Sequence, residues 1–421
     1  MQSFNFLLPN IVLVVTFLTI LLDKLPRVVV ALLGAGILLV TKNITQEEAF
    51  SYIDFNVIFL LVGMMIMVNI LNETGGIKWL AIFTAKRTNG NSVKLLIYLS
   101  LLTAILSAFL DNVTTVIFLG AITYSICKEL KISPSPFLIS EIICSNIGGT
   151  ATLIGDPPNI MIGSAAKLTF DDFIIHLTPL ILIVLFFAIC TLILIYKNEL
   201  SGKNKTDLIN KLSLEKTITN RPLLIKSVIV ISLTMIGFFL HSYLKLEAGT
   251  IAITGAAVLL IFENKKDIWN DVEWTTIFFF IGLFIIVGAV EKSGTINHLS
   301  QLALKISNGD FKILTLTILW LSAILSSIID NIPYTATMIP MIQSFKSQFS
   351  NIQPLWWALS LGACLGGNGT LLGASANIVA ADIANKLNCK ISFLEFFKVG
   401  FIITIESLLI SSVYLYFRYL Q

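Results

Sequence analysis

The chain has 421 residues, 56% of them apolar and 13% charged, with mean hydropathy +0.88. Soluble domains carry roughly 25% charged residues, so this composition excludes a soluble enzyme or scaffold and reads as an all-α polytopic membrane protein. The net charge of +3 is dispersed over short loops, which excludes a basic nucleic-acid-binding domain.

Residues 1–22 have no Lys or Arg ahead of their apolar core and no small-residue cleavage site, which predicts a first span rather than a signal peptide. Further spans read near 25–41 and 54–72. Residues 93–128 differ, because Asp111 and Asn112 stand between two apolar arms. This predicts a re-entrant helical hairpin whose polar tip is sheltered by protein; two full spans joined by an Asp-Asn loop would return the chain to the same side. Residues 136–166 form an interrupted span, broken by Gly148 and Gly149 and by Pro157 and Pro158. A span at 172–196 closes the first half (1–196), and the polar stretch 197–221 reads as a cytoplasmic linker too short to hold a core. In the second half (222–421) the spans are 222–241, 247–263, 275–291 and 391–419. A hairpin at 311–346 carries Asp330 and Asn331, and an interrupted span at 354–387 carries Gly366 and Gly367.

Most of the 28 lysines and arginines fall in "DKLPR", "AKRTNGNSVK", "CKELK", the linker, "ENKKD" and "NKLNCK", all on one side of this topology. By the positive-inside rule that side is the cytoplasm, which places the protein in the cell membrane with both termini outside. "AILSAFLDNVTT" at 104–115 matches "AILSSIIDNIPY" at 323–334, "IGGTATLIGDPPN" at 147–159 matches "LGGNGTLLGASAN" at 365–377, and "VIFLLVG" at 57–63 matches "TIFFFIG" at 276–282. The offsets are 218 or 219, so the chain is a duplication. Each half holds five spans and one hairpin. An odd number of crossings turns the second copy over, as in transporters built from inverted repeats.

In such folds, discontinuous helices present half-helix ends and unwound carbonyls to substrate and coupling ion near the midplane. Gly148 and Gly149 are expected to let the backbone leave helical geometry, and Thr150, Thr152, Asp156 and Asn159 to supply side-chain oxygens. Gly366, Gly367, Asn368, Thr370, Ser375 and Asn377 are expected to do so in the second half, where Ala374 replaces Asp156. A carboxylate inside a membrane segment costs about 2.5 to 3.5 kcal/mol and marks function. Apart from lysines at their outer ends, the apolar arms around Asp111 and Asp330 hold no basic residue, which predicts a cation, a proton or the opposing interrupted helix as their partner. Glu141 and Glu406 are proton-relay candidates. His176, His241 and His298 fall at outer span ends, and the five scattered cysteines support neither a disulfide framework nor a metal site. There is no GxxxxGK[ST] stretch for a nucleotide-driven pump and no nucleophile–base constellation for an enzyme.

"DNVTTV", "GGTATLIGDPPN", "DNIPYTATMIP" and "GGNGTLLGASANIVAADIANK" resemble the P-protein and arsenite-permease branch of the ion transporter superfamily, which also holds NhaD-type antiporters and, more distantly, dicarboxylate symporters. The resemblance covers almost the whole chain. It implies an elevator-like homodimer in which Asp111, Asn112, Thr114 and Thr115 face Gly148 to Asn159, and Asp330, Asn331 and Thr335 face Gly366 to Asn377. Symporter members carry Ser-Asn-Thr at the tips, where this chain has Asp-Asn-Val-Thr and Asp-Asn-Ile-Pro. The expectation is therefore a secondary transporter for arsenite- or antimonite-type efflux, driven by an ion or proton gradient. Sodium/proton antiport and sodium-coupled anion symport are the alternatives. No cofactor is implied beyond the coupling ion, for which Asp111, Asn112, Asp330 and Asn331 would hold sodium.

Overall fold

The structure, a computed structural model, describes residues 2–22, 24–201, 205–209, 214, 217–263, 266–387 and 389–421, and among these there is helix but no strand. The helices in chain order are α1 (Gln2–Leu21), α2 (Arg27–Val40), α3 (Gln46–Ser51), α4 (Phe55–Glu73), α5 (Gly76–Lys86), α6 (Ser92–Phe109), α7 (Asn112–Leu130), α8 (Ser135–Gly149), α9 (Pro157–Ala166), α10 (Phe170–His176) and α11 (Thr178–Ile195). After the short α12 (Lys197–Leu200) and α13 (Thr206–Ile209) come α14 (Arg221–Leu244), α15 (Ala248–Leu260), α16 (Trp274–Lys292), α17 (Thr295–Ile306), α18 (Phe311–Ile328), α19 (Asn331–Ser344), α20 (Gln353–Gly366), α21 (Ser375–Lys386) and α22 (Phe393–Tyr419). Seven of them, α4, α6, α7, α11, α14, α16 and α18, are long and apolar enough to cross a membrane by themselves.

These helices form two bundles. In the first, a scaffold, α2 packs on α1 and α16, α15 on α4 and α14, and α16 on α4. The second, a core, holds α6 to α9, α11 and α18 to α22, with α6 against α8, α18 against α20, and α11 against α22. α4 and α16 are apolar on every face because they are buried between neighbours, whereas α14 leaves Ile225, Val228, Ile229, Leu233 and Ile236 exposed, as a lipid-facing helix must.

Four short helices lie where the sequence reading placed loops or span ends. α5 and α17 follow α4 and α16, and each starts after a glycine in the left-handed region, Gly75 (φ 77°) and Gly294 (φ 85°), 219 residues apart. Glycine adopts that conformation without a Cβ clash, so the chain turns sharply off the end of the span. α3 and α10 begin with capping boxes, Thr45 with Glu48 and Thr169 with Asp172. The expected span at 172–196 is therefore two elements, because Pro179 in the first turn of α11 cannot donate to the end of α10. Outside the spans, the hydrogen-bonding ammonium of Lys292, 2.6 Å away, holds the Glu48 carboxyl down to about 2.

Part of the expected linker, 197–221, lies outside the described residues. Its described part is tied to the first half: Lys205 N donates to Gly90 O at 3.0 Å and Thr219 N to Thr74 O at 2.9 Å.

Candidate functional site

Each expected hairpin is a pair of helices whose tip is an N-cap. Asp111 caps α7, its Oδ1 accepting from Thr114 N at 2.9 Å. Asp330 caps α19, its Oδ1 accepting from Ile332 N at 3.1 Å. Each expected interrupted span is a pair of half-helices, α8 with α9 and α20 with α21, separated by irregular backbone at 150–156 and 367–374. The first break ends where Pro157 and Pro158 occupy the first turn of α9, positions that need no amide donor, and the second ends at Ser375.

A half-helix leaves carbonyls without partners, and in a membrane the protein itself must supply them. Asn159 does this in the first half: its Nδ2 donates to Thr150 O at 3.1 Å and Thr152 O at 2.9 Å. Asn377 repeats it in the second, donating to Gly367 O at 2.7 Å and Thr370 O at 2.9 Å. Thr150 Oγ1 donates to Asn146 O at 2.7 Å, Thr152 to Ala108 O, and Thr370 Oγ1 to Ser327 O at 2.6 Å. These five groups, expected as ligand contacts, hold the breaks in shape.

The glycine pairs also differ from expectation. Gly148 and Gly366 are helical, and a Cβ built on them would lie 2.2 Å from Ala104 O and 2.6 Å from Ala323 Cα. Their missing side chains let the hairpin arms α6 and α18 approach, so they pack helices rather than face a ligand. Gly149 and Gly367 face Gly155 and Gly373 across their own loops.

The two halves meet on Asp156, which is fully buried. Asn112 Nδ2, from the first tip, reaches its Oδ1 at 3.2 Å, and Asn331 Nδ2, from the second, reaches the same oxygen at 3.2 Å and Oδ2 at 3.4 Å. Asn146, which the sequence reading passed over, extends the cluster by donating to Asn368 Oδ1 and Asn377 Oδ1, both at 2.9 Å, and accepting from Asn112 at 3.3 Å. It was legible as an amide within an apolar run just before the glycine pair. Three buried oxygens at the tips, Asn112 Oδ1, Thr115 Oγ1 and Thr335 Oγ1, have no hydrogen-bond partner among the described residues, a state that buried polar groups rarely keep.

Asp330 has a partner that the sequence reading did not assign. Arg27, the first residue of α2, places Nη1 2.5 Å from Asp330 Oδ2 and 2.7 Å from Ser375 Oγ, and Ser375 donates to the same carboxylate oxygen at 2.6 Å. Of the partners expected for Asp330, a cation, a proton or the opposing interrupted helix, the structure shows the helix, through Ser375, and adds a guanidinium that the sequence did not point to. Arg27 had been read as a loop charge. Asp111 has no ion pair among the described residues.

A cavity of about 500 Å³ reaches this region, lined among others by Arg27, Asp111, Glu273, Pro157, Ile332 and Ser375. Glu273 was not expected, although it stands at the offset of 219 from Asp54. Thr114 lines a neighbouring cavity of about 280 Å³, also with Glu273. A cavity of about 360 Å³, lined by Tyr52, Asp54, Met161, Phe284 and Ala336, contains none of the tip residues 111–115 or 330–335. Glu141, bonded to Thr123 Oγ1 at 2.5 Å, and Glu406, bonded to Thr191 Oγ1 at 3.1 Å, share no hydrogen bond with the central cluster.

A family model described as citrate transporter matches residues 17–362. An uncharacterized transporter of Mycobacterium bovis is 40% identical over 97% of both chains. The P protein of Sus scrofa is 34% identical over 96% of this chain, which spans 58% of that longer protein. The crystal structure of the YdaH transporter of Alcanivorax borkumensis superposes with TM-score 0.60 at 13% identity, covering 88% of this chain and 86% of that one, a likeness of fold.

Proposed function

The chain belongs to the citrate transporter family of membrane transporters, and on that premise we propose that it moves a small organic anion by ion coupling through the central site. The observation that carries this reading is the cavity of about 500 Å³ that ends at Asp111, Ser375 and Arg27. Its size suits a ligand larger than a trihydroxide of arsenic, since pockets for organic molecules run from about 300 Å³ upward. Arg27 adds a fork of donors suited to carboxylate, which favours an organic acid over the arsenite-type substrate that the tips alone suggested. Asp111 and Glu273, on the same wall, supply negative charge for a co-transported cation.

The breaks after α8 and α20 then have a purpose: they bring carbonyls, amides and half-helix N-termini to mid-membrane, where intact helices offer only side chains. The cavity at Arg27 and Glu273 touches both tips, through Asp111 and Ile332, while the smaller one near α3 is lined by neither.

Counterflow in proteoliposomes tests the reading. Radiolabelled citrate should exchange faster than in protein-free liposomes and arsenite should not. Exchange of arsenite without any carboxylate would defeat it. Sodium/proton antiport is the second reading, favoured by the uncompensated pair of Asp111 and Glu273, and sodium-dependent proton flux without carboxylate exchange would select it.

A further inference from the structure

Arg27 joins the two bundles. It belongs to α2 of the scaffold, while Asp330 and Ser375 belong to α19 and α21 of the core. The Asp330 side chain is 1% exposed and that of Arg27 22%, so one end of the pair is sealed in protein and the other opens to the cavity. The second half has no equivalent residue: "ALLGAGILLV" at 31–40 pairs with "AITGAAVLLI" at 252–261, which puts Ala248 where the first half has Arg27. The charge is therefore a feature of one half-site alone, and Asp111, the counterpart of Asp330, has no basic partner among the described residues.

We infer that Arg27 is a protein-borne counter-ion which takes the place of a mobile monovalent cation at Asp330 in this arrangement of the bundles. The inference rests on the transporter reading in one respect, that the core moves relative to the scaffold. Such movement carries Asp330 away from α2 and leaves a buried carboxylate without its cation, a state that proteins avoid. A monovalent cation from solution must then take the vacated position for the core to move. Asp330 thus exchanges a fixed cation for a mobile one, and an empty carrier is held back by its own ion pair. Arg27 is a positioning residue in this device, since it acts through Asp330.

The test uses the full-length chain in detergent, with thermal unfolding followed in sodium chloride and in N-methyl-D-glucamine chloride at equal ionic strength. Arg27→Gln vacates the position, so sodium should stabilise this variant at least about twice as much as the wild type, by mass action on the folded state. Arg27→Lys keeps the charge and should behave as wild type. The double variant Arg27→Gln with Asp330→Asn should lose the added sodium effect. A sodium effect in Arg27→Gln no larger than in the wild type overturns the inference. If Arg27→Gln yields no folded protein, the double variant decides: recovery supports a charge pair, and failure to fold overturns it. The result is separable from the substrate reading, because a chain that fails to exchange citrate can still show sodium rescue of Arg27→Gln.

Discussion

Asp156 holds the position that neither repeat could fill alone, because its two oxygens take donors from Asn112 and Asn331, one from each hairpin tip. An unsatisfied buried polar group costs about 1 to 3 kcal/mol, so losing either amide loosens the tip that it positions. Asn112→Ala and Asn331→Ala should each cut exchange by at least about tenfold, the factor that 1.4 kcal/mol carries, with folded protein still recovered. Gln46→Ala in α3 should leave exchange unchanged. If only one asparagine mattered in the exchange assay, the shared-site idea would fail. At this scale the sequence was a good guide to which residues are polar inside the membrane and a poor guide to their partners. Asn159 and Asn377 looked like ligand groups, yet their amides serve the carbonyls of their own breaks. Arg27 looked like a loop charge, yet it faces a carboxylate 303 residues away.

At the scale of elements, the breaks after α8 and α20 were legible because glycine, and in the first half proline, act on the backbone directly. Which glycine bends the chain and which admits a neighbour was not legible, since both tasks ask for the same missing Cβ. Gly148→Ala should lower the melting temperature, as overpacking typically costs about 1 to 3 kcal/mol and the new methyl would sit 2.2 Å from Ala104 O. Gly36→Ala in α2, with nothing within 4 Å of the added atom, is the control and should be neutral or stabilising. Equal melting of the two variants would mean that α6 is free to move away from α8. The amphipathic helix α17, with Ile296 and Ser300 buried and Leu299, Leu302 and Ile306 exposed, escaped the reading because it is too polar to register as a span.

For the whole molecule, the pairing of elements is reciprocal. α2 packs on α16 as α15 does on α4, and α7 packs on α21 as α19 does on α9. Such exchange is what a twofold relation between two copies produces, whichever way its axis lies to the membrane. The sequence-based topology of five crossings per half predicts both termini outside the cell: alkaline phosphatase fused after Gln421 should be active and green fluorescent protein at the same place dark. The reverse pattern would remove the proposed topology. Hydropathy, the offsets of 218 and 219 and the interruptions determined by themselves that the chain is a duplicated polytopic membrane protein with two polar tips and two breaks. They did so because lipid constrains every backbone group locally, and a local constraint leaves its mark along the sequence. Tertiary structure alone decided that both tips converge on Asp156, that Arg27 neutralises Asp330, and that one cavity touches both tips. These depend on contacts between residues far apart in the chain, which no periodicity encodes, and on a difference between the halves that their repetition conceals.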